Sequence, residues 1–154
     1  MKKGMRSDEV ADWLLRLTDG VAVAKITARI DRLCRGNPGD VKRVGGGINQ
    51  LQIEYGPGYR VYYAEQIDQI IVLLADGTKE AKAANIVKSK SLLKELKAKM
   101  ATAKYDTADF LQSSKAIQAY MDEALDTKDA AFVAHALAVV VRAKQRRREL
   151  SNKH

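Results

Sequence analysis

The chain has 154 residues, a single cysteine and a formal net charge of +8. That length permits one domain, or a smaller domain with an attached arm, and either can bury a core. Cys34 alone excludes an intrachain disulfide framework and a thiolate metal cluster, and it fits a cytosolic protein.

The charge is uneven. Residues 1–99 carry 18 basic and 12 acidic side chains, residues 100–140 carry 3 and 6, and the tail from Val141 carries 6 and 1. A basic front favours a polyanionic partner, without choosing among RNA, DNA and acidic protein. Met1-Lys2-Lys3 is basic, but no adequate apolar run follows, so no signal peptide is expected. The apolar stretch 130–141 is interrupted by His135 and too short to span a bilayer, so no membrane partner is expected.

Residues 7–17 read as a helix capped by Ser7 or Asp8, with Val10, Trp13, Leu14 and Leu17 on one stripe. Asp19-Gly20 breaks it. A second helix runs over 21–33, with Val23, Ile26, Ile30 and Leu33 on one face, until Gly36-Asn37-Pro38-Gly39-Asp40 stops it. So short a link predicts an antiparallel helix hairpin.

Strands are expected next, over 41–44, 48–55, 59–64 and 70–75. Gly45-Gly46-Gly47 is a turn or bulge, and Gly56-Pro57-Gly58 is a turn. Leu51 and Ile53 alternate with Gln50, Gln52 and Glu54. The run 70–74 is apolar at every position, as in a central strand covered on one side and crowded on the other. A helix from about Lys79 to Lys97 closes a front part, residues 1–97, of α+β class. Its helix hairpin packs on a small, mainly antiparallel sheet of three or four strands.

Residues 98–104 lack an apolar rhythm and read as a linker or a fraying helix end. A helical extension, 105–145, then opens with a turn over 105–111, a helix capped by Ser114 over 115–125, and a third over 130–144. Its apolar residues Phe110, Ile117, Met121, Leu125, Phe132 and Leu137 have too little core of their own, so the front part is their expected surface. The basic tail, 146–154, reads as solvated or disordered.

Several blocks stand in a telling order: Trp13-Leu14, Ala28-Arg29-Ile30-Asp31-Arg32-Leu33, Gly36 to Lys42, Val44 to Ile48, Gly56 to Tyr63 and Ile71 to Leu74. Together they resemble the RelE/HigB superfamily of bacterial type II toxins, in the addiction module killer subgroup. From Met100, the stretches Tyr105 to Leu111, Ile117 to Leu125, His135-Ala136-Leu137 and Val141 to Lys144 resemble the start of the matching antidote protein. The chain therefore looks like a toxin fused to an antitoxin truncated before its helix-turn-helix.

The resemblance implies a RelE-like toxin fold and ribosome-dependent mRNA cleavage, with a 2′-hydroxyl attacking the adjacent phosphate. Such chemistry needs alignment, a proton acceptor and cations on the phosphoryl oxygens, and calls for no metal and no cofactor. Arg60 is the first choice to grip the phosphate, since its planar fork leaves the Gly-Pro-Gly turn on a strand. Lys79 matches a cationic position of the family, and Tyr62 shares the face of Arg60, placed to stack or to position the phosphate. Lys42, Arg43, Gln50, Gln52 and Lys82 are further RNA-binding candidates.

Two positions depart from the subgroup. Gln50 and Gln52 stand where it commonly has glutamate and arginine, and glutamine is neither a base nor a cation at neutral pH. A catalytic tyrosine of the wider family falls near Asn85, and Glu54 is a conceivable substitute base. Three readings follow: an mRNA endonuclease neutralised by its own extension, a catalytically impaired fold that still binds, or a weak nucleic-acid-binding regulator. The expected partners are the ribosome and mRNA, and the extension in cis or from a second chain in a homodimer. Asp106, Asp109, Asp122, Glu123, Asp126 and Asp129 are expected to oppose the basic front part. Specific DNA binding is not expected without the helix-turn-helix. His135 and Cys34 read as packed and inert.

Overall fold

The computed structural model describes residues 2–77, 81–99 and 103–152. It opens with β1 (Lys3–Arg6), a strand whose polar run carries no apolar alternation. β1 forms because β5 (Gln69–Asp76) offers a parallel partner, from Lys3 opposite Gln69 to Arg6 opposite Val72. Ser7 then turns the chain into α1 (Asp8–Arg16). Its N–H donates to the Val72 carbonyl, and its hydroxyl donates to the Leu73 carbonyl and accepts from the Val10 N–H. One buried cap thus ties the helix to the central strand.

Asp19 caps α2 (Gly20–Cys34) by accepting from the N–H groups of Val21 and Ala22. The helices do not form the tight hairpin that their short link predicts. α1 leans on β5, whereas α2 lies between β3 (Ile48–Ile53) and a helix of the extension. Burial on two sides explains why α2 is apolar over most of its circumference.

β2 (Val41–Gly45), β3, β4 (Tyr59–Glu65) and β5 form an antiparallel meander. Gly45, Gly46 and Gly47 all have positive φ in the β2–β3 turn, and a Cβ on Gly46 would stand 2.7 Å from Lys90 Cε. The sheet has six strands, ordered β2-β3-β4-β5-β1-β6, rather than three or four. β6 (Ala103–Lys104) pairs antiparallel with β1, so the expected linker ends in the sheet itself.

Both faces of the sheet are covered. α1 and α2 bury one with Leu51, Ile53, Tyr59, Val61, Tyr63 and Val72. α3 (Lys82–Lys99) covers the other over Ile48, Tyr62, Ala64, Ile71, Leu73 and Leu74. The crowded second face expected for β5 is therefore a second core. A register shift opposite Tyr62 and Tyr63 places Leu73 and Leu74 together on it.

The extension continues the first core. After a 3-10 turn at Thr107–Asp109, α4 (Ser114–Asp126) lies along α2, and α5 (Ala130–Asn152) lies on α4 and the turn. Phe110, Ile117 and Phe132 are buried in the cluster that holds Val23 and Ile30, and Met121 packs against it. Leu125 and Leu137 are not interface residues: they are 55% and 52% exposed. The buried stripes run through Ala116, Ile117, Tyr120 and Ala124 on α4 and through Phe132, Ala136, Val139 and Ala143 on α5. Both leucines fall one position past them, on the outer side. The cap of α4 is Ser113, one residue before the expected Ser114.

The expected charge complementarity is also rearranged. Asp106 and Asp109 pair inside the extension, with Arg142 and Arg146, while Lys25–Glu123 and the His135–Asp31 contact cross the seam. The tail is accordingly helical through 152, not disordered, with Arg146 in two ion pairs and Arg147 donating to Ser114. No helix among the described residues is long and apolar enough to cross a membrane.

Candidate nucleic-acid interface

Strand register brings most of the sequence candidates together. On the α3 face, Lys42 pairs with Gln50, Gln50 with Tyr62, and Tyr62 with Leu74. One pleat further along, Gln52 pairs with Arg60 and Arg60 with Asp76. The first turn of α3 adds Lys82 and Asn85, and the Asn85 amide donates to the Asp76 carboxylate at 2.7 Å.

The electrostatics show how closely the cations converge. The Lys82 ammonium is held below the ordinary lysine value, first by the positive charge of Lys42, then by desolvation, then by Arg60. The Lys42 amine lies within hydrogen-bonding reach of Lys82. Arg60 is only 8% exposed and stands in register with Gln52 and Asp76. Two lysines and an arginine in one corner repel one another, and an anion such as phosphate relieves that repulsion.

Other candidates fall elsewhere. Tyr62 is fully buried under α3, so it offers no stacking surface in this conformation. Burial pushes its phenol up, opposed by Arg60 and reinforced by Asp76. Arg43 pairs with Asn49, one residue out of phase with Lys42, and lines a separate hollow beside Tyr63 and Leu33. Strand alternation sends it away from the cluster. Gln50 is buried, whereas Gln52 and Glu54 are exposed. Lys79 lies outside the described residues.

On this face Gln50 Oε1, Tyr62 Oη and Ser89 Oγ are buried without a hydrogen-bond partner among the described residues. Ser89 escaped the sequence reading because a serine in a lysine-rich helix reads as solvated.

On the opposite side, the seam with the extension centres on Asp31 of α2, which is nearly buried. Its carboxylate accepts from the Thr107 hydroxyl at 2.8 Å and the Tyr120 phenol at 2.5 Å, and His135 Nε2 stands 3.6 Å away. All three partners come from the extension. Charge patterning missed this contact because the acid lies on the basic front part and the donors are mostly neutral. Cys34, nearby, is pushed up to about 12 by burial and then by Asp31, so its thiol stays protonated.

The extension packs along α2, across the sheet from the α3 face, and does not cover Lys42 or Lys82. No family model matches the chain, and no solved structure matches it. A Haemophilus influenzae (strain Rd) protein described as uncharacterized is 45% identical over 84 residues, which are 54% of this chain and 85% of the relative. The chain belongs to the family of that Haemophilus influenzae protein.

Proposed function

We propose that the chain is a toxin–antitoxin fusion of RelE/HigB type: an mRNA endonuclease with a RelE-like fold, restrained by its own antitoxin-like extension. The observation that carries this reading is the convergence of Lys42, Arg60 and Lys82 on one corner of the sheet. Arg60 and Lys42 hold the phosphate and stabilise the charge that builds on it. Lys82 adds a third cation to that grip. The extension acts by occupying the outer surface of α2, away from the cations.

Growth of a bacterial host tests this. The full chain leaves growth unchanged. Ile117→Asp forces a carboxylate into the seam, loosens the extension and slows growth, and adding Arg60→Ala restores it. A folded Ile117→Asp chain that does not impair growth contradicts the proposal. A second reading, a binding module without catalysis, is favoured by the burial of Tyr62 and by the neutral Gln50 and Gln52. It predicts ribosome or RNA binding by that variant with no cleavage.

A further inference from the structure

The three orphaned polar atoms under α3 lie in one layer. Gln50 and Tyr62 are direct register partners on adjacent strands, on the same face. Ser89 stands one helical turn after Asn85, on the same side of α3. At one end Asn85 is bonded to Asp76, in the row of Arg60. At the other, Lys90 and Leu93 lie near Gly46 and Gly47, where an added Cβ would stand 2.7 Å from Lys90 Cε and 3.9 Å from Leu93 Cδ2. Ser89 falls between these anchors, over the Gln50–Tyr62 row. The side chains of Gln50, Tyr62 and Ser89 are 2%, 0% and 0% exposed. Buried polar atoms without partners are rare, because each forfeits the hydrogen bonds it makes in water.

α3 is anchored unevenly over this layer. Leu92, Leu93 and Leu96 in its second half pack into the core, whereas in its first half only Ile86 does so. Ser89 is the buried residue of that half, and it is polar. The first half is therefore held by fewer apolar side chains than the second, and lifting it opens the polar layer directly inside the Lys42, Arg60 and Lys82 corner.

We propose that Gln50, Tyr62 and Ser89 form a base-reading slot, which receives the nucleobase of the nucleotide whose phosphate rests on that cationic corner. This rests on the RNA reading given above. A base supplies in-plane donors and acceptors, which an amide oxygen and two hydroxyls can satisfy together. The phosphate grip sets position, and the slot sets sequence preference.

Fluorescence anisotropy of the full chain with short 2′-O-methyl RNAs of a single base, oligo-A, oligo-C and oligo-U, tests the slot without cleavage. The wild-type chain is expected to prefer one base by at least about fivefold, the lower range for one well-made base contact. Tyr62→Phe combined with Ser89→Ala removes two orphaned hydroxyls. It is expected to raise the unfolding midpoint while erasing that preference. Arg60→Ala is expected to weaken all three RNAs alike. Equal binding of all three by the wild-type chain overturns the slot alone, as does a preference that survives in the double variant. Failure of the wild-type chain to bind any of them overturns both the slot and the RNA reading.

Discussion

The Tyr120 phenol donates to the Asp31 carboxylate at 2.5 Å across the seam between extension and front part. Asp31 lies within a basic segment and Tyr120 within an acidic one, so the contact runs against the gross charge pattern of the chain. Tyr120→Phe leaves the packing intact and removes one donor from a nearly buried carboxylate. The expected cost is about 1.5–3 kcal/mol, the usual worth of a hydrogen bond to a charged group. Urea unfolding with unchanged m-value checks it.

The two faces of α4 and α5 give a direct contrast. Leu125→Ser and Leu137→Ser, on the exposed sides, are expected to change stability by less than about 0.5 kcal/mol. Ile117→Ala and Phe132→Ala, inside the joint core, are expected to cost about 2–5 kcal/mol. Thermal and urea denaturation of the four variants distinguish these stripes from the one suggested by leucine content.

This contrast marks where the sequence was legible. The Ser7 cap and the alternation of Tyr59, Arg60, Val61, Tyr62 and Tyr63 follow from local spacing. Such spacing fixes side-chain direction on a strand or helix. β1 was not legible, because Lys3, Gly4, Met5 and Arg6 become a strand only through the unpaired edge of β5. Leu125 and Leu137 misled for a related reason. In alanine-rich helices, the small residues that let helices approach, Ala124 and Ala136, set the buried stripe, and large apolar residues need not lie on it. Arg43 and Lys42 looked equivalent as neighbouring cations, but a strand sends them to opposite faces.

All six tyrosines have phenols held above the ordinary value of 10.0. For Tyr63, at about 12, the causes are burial and then Glu65, opposed by Arg29. For Tyr120 they are burial and then the charge and hydrogen bond of Asp31. Raised folded values mean that the folded state holds its phenolic protons more tightly than the unfolded chain. The stabilisation is complete below pH 10 and is lost as pH rises above it. Ultraviolet titration is expected to show little phenolate until cooperative alkaline unfolding releases the phenols together. Early, gradual ionisation of most tyrosines contradicts this packing.

Lys82 offers a local test of the cationic corner. Its lowered value has the Lys42 charge as first cause. Lys42→Ala is expected to move Lys82 back toward the ordinary lysine range, read by NMR titration of its side chain. Arg60→Ala is expected to produce a smaller shift in the same direction. No response to Lys42→Ala would mean that the two amines do not share the corner.

The most direct measurement is reverse-transcription mapping of an mRNA translated in a cell-free bacterial reaction. It compares the full chain, Ile117→Asp, and Ile117→Asp with Arg60→Ala, each confirmed folded by circular dichroism. The account predicts cuts within the translated region for Ile117→Asp only, and intact message for the other two. Intact message with folded Ile117→Asp, or cuts that persist without Arg60, would contradict it.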